Sequence, residues 1–344
     1  MGVAVSVVIP TYKSAPWIDA TLSSVVHQTH PSESLEVIVV DDASPDDTVA
    51  RARSFLERHP VKSQVIALKK NGGVAAGRNV GWRAASGDWI QFLDGDDLLA
   101  AHKVALQAER VAREPEAFDV AYSNWQAYWQ NDGIWQGVGP VWRPFVDDKP
   151  VLQILQELTF GYVGPTLIRR TMIEKVSGFG EEPNLGEDID LMLRMAMAGA
   201  RFRQVHSDTV AFYYRQWPES LGRNYGKNIG ARGNLLRTFR RAENYLREHA
   251  PSGLSDAERR AIVHRYSRDA EFFVEHDPET YQMLLGWLAE LGEKHPEILS
   301  RNLRMLAKLV GYEGAVRLRA AYRKGATRVQ ELRGRTAGPS AVAK

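Results

Sequence analysis

Asn71-Gly72-Gly73-Val74-Ala75-Ala76-Gly77-Arg78-Asn79-Val80-Gly81 is followed, after Trp82 to Ala85, by Ser86-Gly87-Asp88-Trp89-Ile90-Gln91-Phe92-Leu93-Asp94-Gly95-Asp96-Asp97. A glycine-rich turn opens a short helix that carries Arg78 and Asn79, and Ser86-Gly87 ends it. The apolar run Trp89 to Leu93 then reads as a strand that delivers acid to a loop. Gly95 lets the backbone turn sharply, so the carboxylates of Asp94, Asp96 and Asp97 can converge. Such oxygen clusters suit a hard divalent cation, which in turn grips a diphosphate. The plainer alternative is a solvated acidic turn.

Upstream, Val3 to Ile9 is a continuous run rich in β-branched residues, the pattern of a parallel strand covered on both faces, and Pro10 is expected to stop it. Trp17 to Gln28 has helical spacing, Leu35 to Val40 is a second buried strand ending in Asp41-Asp42, and Val49 to Arg58 is a helix. Gln64 to Leu68 is a third strand. This alternation predicts a mostly parallel, Rossmann-like α/β sheet with right-handed crossovers. Ligands bind such sheets at the carboxyl ends of the strands, which puts Pro10, Tyr12 and Asp42 in view. A nicotinamide enzyme would carry G-x-G-x-x-G after the first strand; Pro10-Thr11-Tyr12 stands there instead.

Downstream, His102 to Ala112 reads as a helix and Phe118 to Tyr122 as a strand. Trp125, Tyr128, Trp129, Trp135 and Trp142 then lie among Gln, Asn and Gly. The mixture suits stacking on sugar faces, and equally suits the core of a twisted hairpin. Val151 to Leu158 and Thr171 to Val176 read as helices, Leu167 to Arg169 as a strand, and Val205 to Tyr214 as one strand-like run. Leu185-Gly186-Glu187-Asp188-Ile189-Asp190 places acid before an amphipathic helix that ends at Gly199. Acid at a helix start is favourable capping whatever the function. Successive helical positions point about 100° apart, so Glu187, Asp188 and Asp190 cannot all face one cleft.

The pattern Asn71, Gly73, Arg78, Asn79, Gly81, Ala85, Gly87, Asp94, Asp96 and Asp97 resembles the family 2 glycosyltransferases, over roughly residues 4 to 220. Gly77 stands where that family usually has Ala. The resemblance implies an A-type glycosyltransferase fold and a nucleotide-sugar donor. It sets Pro10 and Tyr12 beside the base, gives Asp42 a hydrogen bond to it, and brings Asn71, Arg78 and Asp94 to the nucleotide. For Tyr12 the alternative is packing on the sheet, and for the Asp42 loop it is capping of the next helix. Asp96, with Asp94, would hold Mn²⁺ or Mg²⁺. Asp94 is also a candidate for holding the ribose. Asp188 corresponds to the general base acting on an acceptor hydroxyl, in a single displacement that inverts the anomeric centre. Trp125, Glu187 and Trp217 fall on the acceptor side. Trp217 occupies or adjoins a position that in the family is often a metal-assisting histidine, and Arg215 or Arg223 offers substitute positive charge.

With 344 residues, 44% hydrophobic and 25% charged, the chain can bury a full core and is long for one domain. The expected division is a catalytic domain over residues 1–222, an all-helical domain over 223–337 and a disordered tail over 338–344. The absence of cysteine excludes a disulfide framework and thiolate metal sites. Met1 to Pro10 reads as a strand instead of a secretion signal, and no run approaches about 20 apolar residues. A cytoplasmic chain is expected, peripheral on the inner face of the cell membrane if the basic segment from Arg301 lies on anionic lipid. The other reading of that segment is a solvated helix with a frayed end. A formal charge of +2 names no partner, and no nucleic-acid module accompanies the basic residues.

The helical part would pack on the catalytic domain, mediate homo-oligomerisation or shape an acceptor site. The function expected is transfer of one hexosyl or N-acetylhexosaminyl unit per encounter from a UDP-sugar to a glycan or lipid-linked acceptor, in cell-envelope polysaccharide biosynthesis. A sugar nucleotidyltransferase would need a glycine-rich basic loop after the first strand. A noncatalytic carbohydrate-binding or scaffold protein would lack metal-dependent nucleotide binding.

Overall fold

The computed structural model describes residues 3–131, 134–142, 149–180, 186–205, 209–217, 229–297, 305–319 and 321–322. It divides into two compact units, Met1–Tyr245 and Leu246–Lys344. The boundary read from sequence, after residue 222, and the tail over 338–344 lie outside the described residues.

In the first unit the expected alternation is present. The strand β1 (Val5–Thr11) leads to helix α1 (Ile18–Val26), β2 (Leu35–Asp41) to α2 (Thr48–Leu56), and β3 (Lys62–Ala67) to α3 (Val74–Ala84). Next come β4 (Trp89–Phe92), β5 (Leu98–Leu99), α4 (Lys103–Arg113), β6 (Val120–Tyr122), β7 (Trp125–Asn131) and β8 (Ile134–Trp142). After α5 (Pro150–Gln156) the chain forms β9 (Thr166–Arg169), α6 (Arg170–Lys175), α7 (Glu187–Met197), β10 (Phe202–Gln204) and β11 (Phe212–Gln216).

The main sheet has the order β10-β6-β9-β4-β1-β2-β3. Its pairs are parallel except those of β9, which runs antiparallel to β4 and β6. Val7, Ile9, Val37 and Val39 are fully buried between helical layers, as the runs of β-branched residues require. A second sheet of order β5-β11-β7-β8 stands beside it.

Two readings need correction. Pro10 does not stop β1, which continues to Thr11 in register with Asp41. The physical reason is one-sided pairing: β4 leaves β1 at Val8, whose carbonyl accepts from Leu93 N. The N–H that proline lacks would point to that unpaired side, so no ladder bond is lost. Second, Val205 to Tyr214 is not one strand. Phe202–Gln204 pairs with β6 in the main sheet and Phe212–Gln216 with β5 and β7 in the other, with residues 206–208 outside the described set.

Close approach explains one glycine. A Cβ on Gly81 would stand 2.2 Å from Val8 Cγ1, so α3 lies directly on β1 and carries Arg78 toward the carboxyl edge of the sheet.

Helix α8 (Ile229–Glu248) crosses the residue at which the units divide. The second unit is helical over its described residues, with α9 (Asp256–His276), α10 (Pro278–Glu290) and a helix over 305–319. Ser255 and Glu258 form a capping box at the start of α9, and Asp277 caps α10 ahead of Pro278. No helix among the described residues is long and apolar enough to cross a membrane.

Candidate active site

The loops that follow β1, β2 and β4 lie at the carboxyl ends of the main-sheet strands and carry the candidate residues Tyr12, Asp42, Asp94 and Asp96. Tyr12 is 48% exposed, so it does not pack into the sheet, and Lys13 Nζ lies 5.2 Å from its ring centroid. Lys13 and Ala43 both adopt left-handed backbone at φ 55° and 58°, and Lys13 N donates to Ser44 Oγ at 2.9 Å. A left-handed non-glycine residue thus stands just beyond each of the first two strands, and Ser44 links the two loops.

Asp42 is buried. Its carboxylate accepts from Gly72 N at 2.7 Å and Gly73 N at 2.8 Å, while Asn71 Nδ2 donates to its carbonyl at 3.1 Å. Asp42 and Asn71 therefore fasten the glycine turn onto the β2 loop. The capping alternative belongs to Asp46, whose Oδ1 accepts from Thr48 N at 3.2 Å and Thr48 Oγ1 at 2.6 Å.

Arg78 is the centre of the arrangement. Its side chain is 3% exposed and faces three carboxylates: Asp94 Oδ1 at 2.7 Å, Glu187 Oε1 at 2.8 Å, and Asp188. Its charge is sustained despite burial by Asp188, Asp94 and Glu187. Phe179 lies under the guanidinium at 5.2 Å. Asn79 exchanges hydrogen bonds with Phe179, donating to its carbonyl at 2.9 Å and accepting from its N–H at 3.0 Å. The Arg-Asn pair so ties α3 both to the acids and to the segment that precedes α7.

Burial pushes the Asp188 carboxyl up to about 7; Glu187 and Asp94 add to the rise, against the pull of Arg78. Val163 N donates to Asp188 Oδ2 at 3.3 Å. Asp190 is turned elsewhere, accepting from Arg194 Nε and Thr238 Oγ1, both at 2.7 Å. Of the three acids at the start of α7, two face the site and one does not, as helical geometry demands.

On the acidic loop, Asp97 is 3% exposed and accepts from Arg215 N at 2.8 Å, a bond that holds the turn. Arg215 Nε donates to the Asp96 carbonyl, and Trp217 Nε1 donates to Asp96 Oδ2 at 2.9 Å. Arg215 is thus within the acidic loop's own hydrogen-bond network, while Arg223 lies outside the described residues. Burial, then the Asp94 charge, pushes the Asp96 carboxyl up to about 6.

The oxygen atoms of Asp94 and Asp96 are chemically suited to Mg²⁺ or Mn²⁺: they are hard and negatively charged, those of Asp94 on a side chain that is 40% exposed. Each carboxylate has a second oxygen beyond the one bound by Arg78 or Trp217. No group of three or more His, Cys, Asp or Glu side chains that could hold a metal occurs among the described residues. That leaves substrate phosphate or water to complete a shell, as is usual for Mg²⁺.

Trp125 is packed as core, 4% exposed, stacked on Trp142 at 5.7 Å and tilted 47° against Tyr162 at 5.4 Å, which is the hairpin-core alternative for that ring. The Trp135 side chain lies outside the described residues.

Sequence reasoning did not single out the polar layer beneath the loop over 162–166. Gln91 Nε2 donates to the Gly164 carbonyl at 2.8 Å, Gln107 Nε2 to the Pro165 carbonyl at 3.1 Å, and Lys103 Nζ to the Thr166 carbonyl at 2.8 Å. Polar residues at apolar positions, Gln91 within the strand and Lys103 and Gln107 on a buried helix face, were the available signal.

The model of the family described as Glycosyl transferase family 2 matches residues 6–177, half of the chain. The poly(ribitol-phosphate) β-N-acetylglucosaminyltransferase TarS of Staphylococcus aureus is 31% identical over 212 residues, covering 61% of this chain and 35% of TarS. The Escherichia coli protein WfaP, a UDP-Glc:α-D-GlcNAc-diphosphoundecaprenol β-1,3-glucosyltransferase, is 28% identical over 240 residues, covering 68% of this chain and 86% of WfaP. The crystal structure of TarS residues 1–349 with UDP-GlcNAc superposes with a TM-score of 0.64 at 19% identity, covering 94% of this chain and 92% of that one. The chain spans about a third of the length of TarS.

Proposed function

The chain belongs to glycosyl transferase family 2, and on that premise we propose that it is an inverting transferase. It moves a hexosyl or N-acetylhexosaminyl unit from a UDP-sugar to a hydroxyl of a glycan or lipid-linked acceptor in cell-envelope polysaccharide synthesis. The observation that carries this reading is the shared guanidinium of Arg78, joined at once to Asp94 on the β4 loop and to Asp188 at the start of α7. On this reading the base for the acceptor is next to the acids that would serve the donor, linked to Asp94 through one guanidinium. UDP-sugars named with TarS and WfaP support the choice of nucleotide.

In the proposed reaction Asp188 accepts the proton of the acceptor hydroxyl as its oxygen attacks the anomeric carbon. The bond from that carbon to the diphosphate oxygen breaks, and its electron pair leaves with UDP. One displacement inverts the centre. A carboxyl pushed up to about 7 is well matched to taking a proton near neutral pH. Arg78 and the Val163 N–H fix its orientation. Asp94 and Asp96 would hold Mn²⁺ or Mg²⁺, which when bound supplies Lewis-acid neutralisation of the leaving diphosphate. Exposed Tyr12 is suited to lie against the uracil ring.

Exposed Met305, Leu309 and Leu318, set in the basic sequence from Arg301, suit contact with an anionic membrane surface close to a lipid-linked acceptor.

The test is release of UDP from UDP-GlcNAc and UDP-Glc with undecaprenyl-diphosphate-linked GlcNAc or poly(ribitol phosphate) as acceptor, followed by NMR of the new anomeric centre. An inverted, β-configured product is expected. A retained configuration would overturn the single displacement, and absence of transfer with an entire panel of nucleotide sugars and acceptors would overturn the enzyme reading.

A further inference from the structure

We propose that Trp217 is a positioning residue for the Asp96 carboxylate, setting how that carboxylate meets a divalent cation; the inference rests on the donor site described above. The indole N–H donates to Asp96 Oδ2 at 2.9 Å. An indole nitrogen is a donor only, with no lone pair to offer a metal. Trp217 therefore acts on a cation through Asp96 and not as a ligand.

The hydrogen bond takes one carboxylate oxygen and restrains the rotation of the group, which leaves Oδ1 as the oxygen that would meet a cation. The ring is braced in turn. Trp17, at the start of α1, lies 6.3 Å from Trp217 with the planes 46° apart, and the Arg215 guanidinium lies 4.5 Å over the same Trp17. Arg215 also donates from Nε to the Asp96 carbonyl and from its N–H to Asp97 Oδ1. Residues 215 and 217 thus hold both the backbone and the side chain of Asp96, and Trp17 holds both of them. A loop of adjacent carboxylates would otherwise splay by mutual repulsion.

Outer-sphere partners of metal-binding groups change metal affinity by about 10–100-fold when removed. Trp217→Phe keeps an aromatic ring against Trp17 and deletes only the N–H. Free Mn²⁺ is read by its solution EPR signal as protein saturated with UDP is titrated. The expected result is Mn²⁺ binding about 10-fold or more weaker than in the wild type, with circular dichroism and thermal midpoint unchanged. Affinity within about twofold of the wild type overturns the role of Trp217 and leaves the donor site intact, the scatter expected of a contact that only packs.

A wild type that binds no Mn²⁺ with UDP present overturns the donor-site reading itself. A second measurement is read on the wild type and does not depend on Trp217→Phe folding. Mg²⁺ added to ¹⁵N-labelled wild type with UDP should shift one tryptophan indole N–H resonance, and Asp96→Ala should abolish the response. Indole resonances that all stay in place at saturating Mg²⁺ contradict the proposal.

Discussion

Two of the buried cations in the first unit, Arg78 and Lys103, keep very different company. Arg78 lies among three carboxylates from two separate segments, whereas Lys103 is fully buried with its Nζ on the Thr166 carbonyl. The guanidinium keeps its charge because opposite charges surround it; burial pushes the Lys103 amine well below its ordinary range. Arginine, always protonated and forked, suits a hub that must stay charged, and lysine can shed its charge and act as a buried polar strut. The first region is where the proposed chemistry would take place, and the second holds the backbone over 164–166.

The contrast can be broken most sharply at the base. Asp188→Asn should lower turnover by roughly 10²–10⁴-fold while UDP affinity stays near the wild-type value. Loss of UDP binding in proportion would move Asp188 to the donor side.

Arg78→Met leaves Asp94, Glu187 and Asp188 facing one another without a counter-charge. It should destabilise the fold by about 3–5 kcal/mol, read from the urea midpoint. A neutral effect would show that the three acids do not depend on the guanidinium.

Gly81→Ala probes what brings Arg78 to the acids. The added methyl meets Val8 at 2.2 Å and should cost about 1–3 kcal/mol.

Much of this was legible in the sequence because it is local. The β-branched runs of β1 and β2, the glycine turn before α3 and the acids at the ends of β4 and at the start of α7 each announce themselves within a short window. What joins them was not legible. Arg78 meets Asp188 across 110 positions, and Asn79 meets Phe179 across 100. The partners of the Asp42 carboxylate, the backbone N–H groups of Gly72 and Gly73, carry no side-chain signature. The run from Val205 to Tyr214 is strand only from Phe212, because β10 has already ended at Gln204 in the main sheet and β11 starts at Phe212 in the other, a tertiary outcome that periodicity does not encode.

The smallest expected effect comes from the second region. The folded-state pKa of Lys103 lies below its unfolded value of about 10.4, so between the two the unfolded chain binds the extra proton. Stability should therefore rise with pH across that window, by up to about 1.4 kcal/mol per pH unit. Lys103→Met should lack this rise, seen as urea midpoints of the two proteins converging or crossing between pH 7 and 9.5. Parallel midpoints would place a charged lysine in the folded protein and erase the contrast with Arg78.

The most direct test of the central claim, that the β4 loop is the donor site, is calorimetric titration with UDP, with and without Mn²⁺, on the wild type and on Asp96→Ala. Binding should require Mn²⁺ and vanish in Asp96→Ala, with GDP binding more weakly than UDP. UDP binding that is indifferent to both the cation and Asp96 would contradict the account.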